Sequence, residues 1–243
     1  MKTNLLLIVS IISVSVFISV VVISNAIRNR NESNNVISVT GMAERNFESD
    51  LIVWKSQFTV KNSNLTSAYA ELKKQGEATR KFLESREVGK AEMTFSAVEI
   101  TKEYVSINSN GTSISTFDGY RLTQQVSITS SNVSKIEGIS REITELINDG
   151  IEITSMPPAY FYTKLSDLKI KMLAEASQDG LIRAKTIAEN GNADLGRLVN
   201  SSMGVFQIVA QNSTEDYSWG GALNTSSKKK TASVTVKLQY MVK

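Results

Sequence analysis

The sequence predicts an α+β fold, in which antiparallel strands form sheets and helices cover one face of them. Two long amphipathic runs, Leu65 to Ser85 and Leu165 to Asn190, repeat apolar or small residues every three or four positions, which is typical of helices buried on one side. Other runs alternate polar and apolar residues, as half-buried strands do. The order ββα, ββαβ, αββ favours helices that are segregated from antiparallel sheets.

The first block predicts two strands and a helix. The strands are Val36 to Thr40, which we expect to end at Gly41, and Asp50 to Val60. The segment Asn62-Ser63-Asn64 ends the second strand and supplies a capping side chain for the helix that runs from Leu65 to about Ser85.

The middle block predicts a hairpin, a helix and an extended segment. Ala91 to Ile107 alternates as one long strand, and Tyr120 to Thr129 returns as its partner after a turn with hairpin chemistry. A helical stripe runs from Val133 to Ile147 and is closed by Asp149-Gly150. Ile151 to Thr163 is extended, and its two prolines confine it to an edge or a bulge.

The last block opens on the longest helix, Leu165 to Asn190. Two rows of apolar or small residues run along this helix. One passes through Leu168, Met172 and Ala176, and the other through Ile170, Leu173 and Leu181. The alanines predict close approach to a sheet. Ser166 is the expected cap at its start, and Gly191 the expected left-handed residue at its end. Two strands follow, Leu195 to Val209 and Thr231 to Val242.

The chain divides into an N-terminal segment and one large domain. Residues 1–35 contain an apolar run, residues 5–23, followed by a polar linker. As a helix with about 1.5 Å per residue, this run is roughly 28 Å long, enough to cross a hydrocarbon core. It predicts an uncleaved anchor, with a cleaved signal peptide as the alternative because Ser24-Asn25-Ala26 supplies a small-x-small site. Both predict export of residues 36–243, in which residues 88–163 are a candidate inserted ββαβ sub-block.

Composition narrows the classes of function. The chain has no cysteine and no histidine, which excludes disulfides, thiol nucleophiles, Ser-His-Asp triads and His-ligated metals. The first 35 residues (three basic residues and Glu32) hold +2 of the formal net charge of +3, which leaves the rest near +1. A near-neutral domain lacks an electrostatic footprint for nucleic acid. We therefore predict no enzymatic activity, no catalytic residues, no cofactor, no metal and no nucleic-acid partner.

The patterns that resemble catalytic groups have simpler structural interpretations. Ser166 and Lys169 match Ser-x-x-Lys but lack the partner motifs of that chemistry, which favours a helix cap and a solvated lysine. Three carboxylate pairs have polar neighbours and are interpreted as solvated faces. These pairs are Glu142/Glu145, Glu99/Glu103 and Glu215/Asp216.

One surface feature is a candidate contact for a partner. Tyr217 and Trp219 lie beside glycines in a loop, and the basic run Lys228, Lys229 and Lys230 follows it. An exposed tryptophan next to basic residues can contact a protein, a glycan or lipid headgroups. The alternative is a mobile hairpin tip without a binding role.

Several short motifs resemble those of the SIMPL-domain (DUF541) family. The first, Ile37-Ser38-Val39-Thr40-Gly41, resembles the family's "ITVTG" opening strand. The second resembles its helix-to-strand passage and consists of Arg183-Ala184, Ile187-Ala188, Gly191 and Leu195-Gly196. The third resembles its C-terminal region and consists of Met203-Gly204-Val205-Phe206 with the closing strand to Tyr240. The resemblance covers about Val36 to Lys243. It implies two ferredoxin-like sub-blocks, a bacterial envelope protein often linked to stress resistance, and homo-oligomerisation. It brings no catalytic residues.

The leading hypothesis is a non-enzymatic exported envelope protein that acts by self-assembly or partner binding. The alternative hypothesis is a periplasmic module that binds a small ligand or a peptide. A third hypothesis is a carboxylate-dependent hydrolase, which would need a buried carboxylate pair. We expect a periplasmic location, with residues 5–23 as an anchor in the inner membrane. If that segment is cleaved, the protein is soluble in the periplasm or associated with the surface.

Overall fold

The computed structural model describes residues 12–24, 35–109, 112–214, 216 and 218–242. The predicted α+β class is confirmed, since these residues form helices packed on two antiparallel sheets. The four helices are residues 12–24 (α1), Leu65–Ser85 (α2), Val133–Glu142 (α3) and Leu165–Asn190 (α4). The strands are β1 (Val36–Glu48), β2 (Leu51–Asn62), β3 (Met93–Phe95), β4 (Glu99–Ser109), β5 (Thr112–Ser130), β6 (Glu152–Ser155), β7 (Ala159–Phe161), β8 (Leu195–Met203), β9 (Gln207–Ala210) and β10 (Lys229–Val242).

The two sheets differ in size and connectivity. One has the order β1-β10-β8, with β9 also pairing with β10. The other has the order β3-β5-β2-β6, with β4 pairing with β5 and β7 pairing with β2. The chain forms two compact units, each discontinuous in sequence. The first unit contains the chain up to Arg45 together with Asp167–Phe206 and Ser233–Lys243, and the second contains Asn46–Ser166 and Gln207–Ala232.

In the first unit, α4 packs closely on β1 through small residues. A Cβ atom on Gly41 would lie 2.1 Å from the carbonyl oxygen of Ala176 and 2.5 Å from the backbone nitrogen of Gly180. The predicted end of the first strand at Gly41 is therefore wrong, because β1 continues through it to Glu48. The glycine is needed for the close approach of helix and strand, not for a turn.

Polar contacts fix α4 along the same strand. The backbone N–H of Met42 donates to the carboxylate of Asp179 at 2.8 Å, and this hydrogen bond lowers the pKa of Asp179. Arg45 forms an ion pair with Glu175 at 2.6 Å. Of the two predicted rows on α4, the row through Leu168, Met172 and Ala176 is buried, whereas Ile170 in the other row is 70 % exposed.

The second unit contains a large apolar core between its sheet, α2 and α3. Trp54, Phe58, Leu122 and Val126 are fully buried on neighbouring strands β2 and β5, which pair in register over eleven residue positions from Ile52↔Ser130 to Asn62↔Tyr120. The indole N–H of Trp54 donates to Ser155 Oγ at 3.0 Å, so this large side chain is both packed and hydrogen-bonded.

The ends of the helices confirm some of the predicted caps and correct others. Asn64 caps α2 by accepting from the N–H of Ser67, and Gly150 takes the predicted left-handed conformation with φ 77°. Helix α4 begins before Ser166, so this residue lies in the first turn and the predicted cap is wrong. At the other end Asn192, with φ 52°, is the left-handed residue instead of Gly191.

Several predicted boundaries are wrong because one pattern covered two elements. The strand predicted at Ala91 to Ile107 is a 3-10 turn followed by β3 and β4, and the strand predicted at Leu195 to Val209 is β8 and β9. The stripe from Val133 to Ile147 is α3 followed by a 3-10 helix, Ile143–Asp149. Pro157 and Pro158 separate β6 from β7, both of which pair with β2.

The N-terminal apolar run lies only partly within the described residues. Residues 12–24 are helical, and the hydroxyl of Ser19 donates to the carbonyl oxygen of Ser15 at 2.9 Å, one turn earlier. None of the helices within the described residues combines the length and the hydrophobicity that a membrane span needs. Residues 5–11 of the predicted anchor lie outside those residues, so the anchor stays a prediction.

Candidate functional site

The three consecutive lysines of the predicted contact surface have three different environments in the second unit. Lys229 is exposed, Lys228 is partly buried among carboxylates, and Lys230 is only 2 % exposed. They therefore do not form one basic surface. Alternation along β10 places Lys230 on the same face as the buried residues Ala232 and Val234, and this is the signal from which its burial could have been predicted.

Lys228 anchors the strand through ion pairs. Its Nζ lies 3.0 Å from a carboxylate oxygen of Glu48 and 3.7 Å from one of Glu137, and it donates to Ser134 Oγ at 3.1 Å. The hydrogen bond to Glu48, with the charge of Glu137, raises the pKa of Lys228. This lysine is a structural cation at neutral pH.

Lys230 is a buried amine with a backbone partner. Its Nζ donates to the carbonyl oxygen of Tyr160 at 2.5 Å, and burial lowers its pKa. Among the residues that the structure describes, no carboxylate pairs with it. Tyr160 itself donates its hydroxyl to Glu137 at 2.9 Å; burial and this hydrogen bond raise the pKa of Tyr160 to about 12, so its hydroxyl stays protonated.

Beside Lys230 is a small cavity that no pattern in the sequence predicts. Its volume is about 60 Å³, and its walls combine aromatic and aliphatic side chains, including Phe47, Tyr162, Ile208 and Leu223. Phe47 and Tyr162 contact each other with ring centroids 4.9 Å apart.

The loop that carries Trp219 is held by one buried side chain, that of Gln207. Its amide nitrogen donates to the carbonyl oxygen of Ser218 at 2.7 Å, and its oxygen accepts from the N–H groups of Ser218 at 3.1 Å and Ala222 at 2.8 Å. Trp219 itself is 100 % exposed. The hydrogen bonds of Gln207 therefore fix the backbone on both sides of a fully exposed indole. Tyr217, the other predicted contact, lies outside the described residues.

A second exposed apolar surface lies on the hairpin of β4 and β5. Tyr104 and Phe117 are exposed cross-strand neighbours on one face of the hairpin, with ring centroids 5.8 Å apart, and Val105 and Ile114 are exposed on the opposite face. Strand β4 pairs only with β5 among the described strands, so its outer edge carries unpaired backbone groups. The sequence predicted the hairpin but not the exposure of these side chains, because alternation is typical of a strand with one buried face.

The candidate catalytic patterns have structural partners. Lys169 lies over the ring of Phe206, with its Nζ 5.4 Å from the centroid. Glu142 and Glu145 both form ion pairs with Arg86, and Glu103 pairs with Lys61 and Arg121. The hydrogen bonds from Arg121 and Lys61 lower the pKa of Glu103.

These features define an α+β protein with an exposed aromatic loop and a buried lysine, in a chain without histidine or cysteine. A comparison with family models matches residues 37–240 to SIMPL, described as a protein of unknown function (DUF541). The chain belongs to the SIMPL (DUF541) family, as its motifs predicted. A search of curated proteins finds no match.

Proposed function

We propose that this SIMPL-domain protein is a non-enzymatic binding protein that contacts other protein molecules, in the first place a second copy of itself, through the Trp219 loop. The observation that carries the proposal is the full exposure of Trp219 on a loop whose backbone is fixed by Gln207. Tryptophan is among the residues most enriched in the energetic centres of interfaces. A fixed loop also loses little conformational entropy on binding.

The chemistry of the loop favours a protein surface over an anionic membrane. Residues 211–223 contain two acidic residues, Glu215 and Asp216, and no lysine or arginine. Anionic lipid headgroups would be repelled by this charge, because membrane-surface binding depends on basic residues. The exposed hairpin of β4 and β5 adds a second surface that supports self-assembly, with apolar side chains and an open strand edge.

Replacement of Trp219 by alanine is expected to weaken self-association without loss of fold. Truncation of a central interface tryptophan costs about 2 kcal/mol or more, which is about a 30-fold rise in Kd. The measurement is light scattering and sedimentation of the full chain in mild detergent over a range of concentrations. The matched control is Ile170→Ala, which removes a side chain of the first unit that is 70 % exposed and is expected to leave Kd unchanged.

Two outcomes would contradict the proposal. One is a wild-type chain that stays monomeric at all concentrations and captures no partner. The other is an alanine variant of Trp219 that associates as tightly as the wild type and the Ile170→Ala control.

We further infer that the protein acts in a bacterial envelope. The apolar run at residues 5–23 supports export, with the run either retained as an anchor in the inner membrane or removed as a signal peptide. Intact mass measurement of the protein isolated from membranes and from the periplasm distinguishes these two forms.

A small-ligand function is the second candidate, and a cavity in the second unit favours it. The cavity has a volume of about 320 Å³ and lies between α2 and strands β3 and β5. Its walls include Tyr69, Lys73 and Arg80 of α2, Phe95 of β3 and Gln124 of β5. Arg80 lies over the ring of Phe95, 4.4 Å from its centroid. The wall also contains one carboxylate, that of Glu77, so two cations and two aromatic rings leave it with a net positive charge, which suits a small aromatic carboxylate.

Benzoate and phenylacetate are the probes for this cavity. Ligand at 100 times its Kd would stabilise the unit by about 2.7 kcal/mol, measured as a rise in the thermal unfolding temperature. Arg80→Met is expected to abolish the rise, and Arg45→Met, in the other unit, to leave it intact. No shift with either probe at millimolar concentration would remove this candidate. The hypothesis of a carboxylate-dependent hydrolase needs a buried carboxylate pair. It has no comparable support, since no Asp or Glu among the described residues is buried.

A further inference from the structure

We propose that the cavity beside Lys230 is a site for the covalent capture of small apolar aldehydes, with Lys230 Nζ as the nucleophile. Among the described residues in the wall of this cavity of about 60 Å³, Lys230 is the only charged one. The remainder of the wall is aromatic or aliphatic, with Phe47, Leu165, Ile208 and Leu223 among its residues. An amine in an apolar pocket is the arrangement in which lysines form Schiff bases with carbonyl compounds.

The contacts of Lys230 favour the neutral amine that this chemistry requires. An ammonium group has three donors and a charge that needs a partner when it is buried. In the described part of the chain Lys230 has one acceptor, the carbonyl oxygen of Tyr160, and no carboxylate. Burial accordingly lowers its pKa, whereas the neighbouring Lys228, which contacts Glu48 and Glu137, has a raised pKa. The neutral form keeps the bond to Tyr160 and leaves a lone pair free.

The reaction needs no oxidant, reductant or further reactant. The nitrogen lone pair attacks the carbonyl carbon, an N–C bond forms, and the carbonyl π electrons move to oxygen, which takes up a proton. The carbinolamine then loses its hydroxyl as water when the C–O bond breaks, and loss of the proton on nitrogen leaves a neutral imine. Amine and aldehyde together give imine and water. Since one water occupies about 30 Å³ of liquid, the cavity suits a molecule of only a few heavy atoms.

Reductive trapping on the full wild-type chain tests the proposal. The protein is incubated at pH 7 with propanal and sodium cyanoborohydride, which converts the imine to a stable propyl adduct, and peptide mass mapping gives the rate at each lysine. Burial in the apolar wall lowers the pKa of Lys230 and so raises its share of the neutral, nucleophilic amine, and we expect Lys230 to react about ten-fold faster than Lys229 or more. A rate at Lys230 equal to or below that at Lys229 overturns the proposal.

Two controls connect the reaction to the cavity. Leu223 is in the cavity wall but 61 % exposed, so Leu223→Trp is expected to fold, to narrow the cavity and to slow the reaction of Lys230 while the rate at Lys229 stays unchanged. The bulky 2-naphthaldehyde is expected to lose the preference for Lys230. Equal labelling of Lys230 in the Leu223→Trp variant, or by the bulky aldehyde, would show that the cavity does not direct the reaction.

Discussion

Replacement of Gly41 by alanine is expected to destabilise the first unit by about 3 kcal/mol or more, at or beyond the upper end of the usual cost of overpacking. The new methyl group would lie 2.1 Å from the carbonyl oxygen of Ala176 and 2.5 Å from the nitrogen of Gly180. Both are backbone atoms of α4, so no rotation of a side chain relieves the clash. The helix has to move away from β1, which also breaks the hydrogen bond from Met42 to Asp179.

Hydrogen exchange on the full chain measures this effect unit by unit. The amides of α4 and β1 are expected to lose protection in Gly41→Ala, while those of α2 and β2 keep it. Gly180→Ala is the comparison variant, and we expect it to destabilise the first unit less than Gly41→Ala does. Its Cβ would meet the end of the flexible Leu238 side chain at 2.6 Å, and alanine has about 1 kcal/mol better helix propensity than glycine. Gly138→Ala in α3, which has only a glutamate oxygen at 4.0 Å, is expected to be neutral or stabilising. Unchanged protection of α4 in Gly41→Ala would contradict the close packing.

The fold class was predictable because the helices and strands have strong local patterns. The bounds of α2 and α4 agree with the structure, since each has a long run of small or apolar residues with polar residues at its ends. The role of Gly41 was not predictable in the same way. In a strand pattern, a glycine is equally compatible with the end of the strand and with close packing against another element. Helix α4, which decides between these two interpretations, lies far away in the sequence.

The site was predictable to a lesser degree. A tryptophan between polar residues and glycines is expected to be exposed, and Trp219 is. The three lysines looked equivalent because sequence patterns treat every lysine as solvated. Their differences come from partners brought by the fold: Glu48 and Glu137 for Lys228, and an apolar wall with the carbonyl of Tyr160 for Lys230. Only the alternation of β10 indicated which one is buried.

Replacement of Trp54 by alanine is expected to cost the second unit about 3–5 kcal/mol, the usual range for removal of a buried aromatic side chain. Trp54 is fully buried on β2, opposite Ile128 of β5. Its indole N–H donates to Ser155 Oγ at 3.0 Å, and that hydroxyl donates to the carbonyl oxygen of Ser140 at 2.6 Å. The side chain therefore fills the core and also connects β2 to β6 and to α3.

Trp54→Phe weights these two contributions differently, because it removes the N–H donor together with part of the indole but keeps most of the ring volume. Its expected cost is smaller, about 1–2 kcal/mol, since Ser155 retains its bond to Ser140. Unfolding in urea followed by circular dichroism gives both values. The chain has two tryptophans, so in a Trp219→Phe background the fluorescence of Trp54 reports on the core of the second unit alone. A Trp54→Ala chain that unfolds at the same urea concentration as the wild type would contradict the central place of this residue in the core.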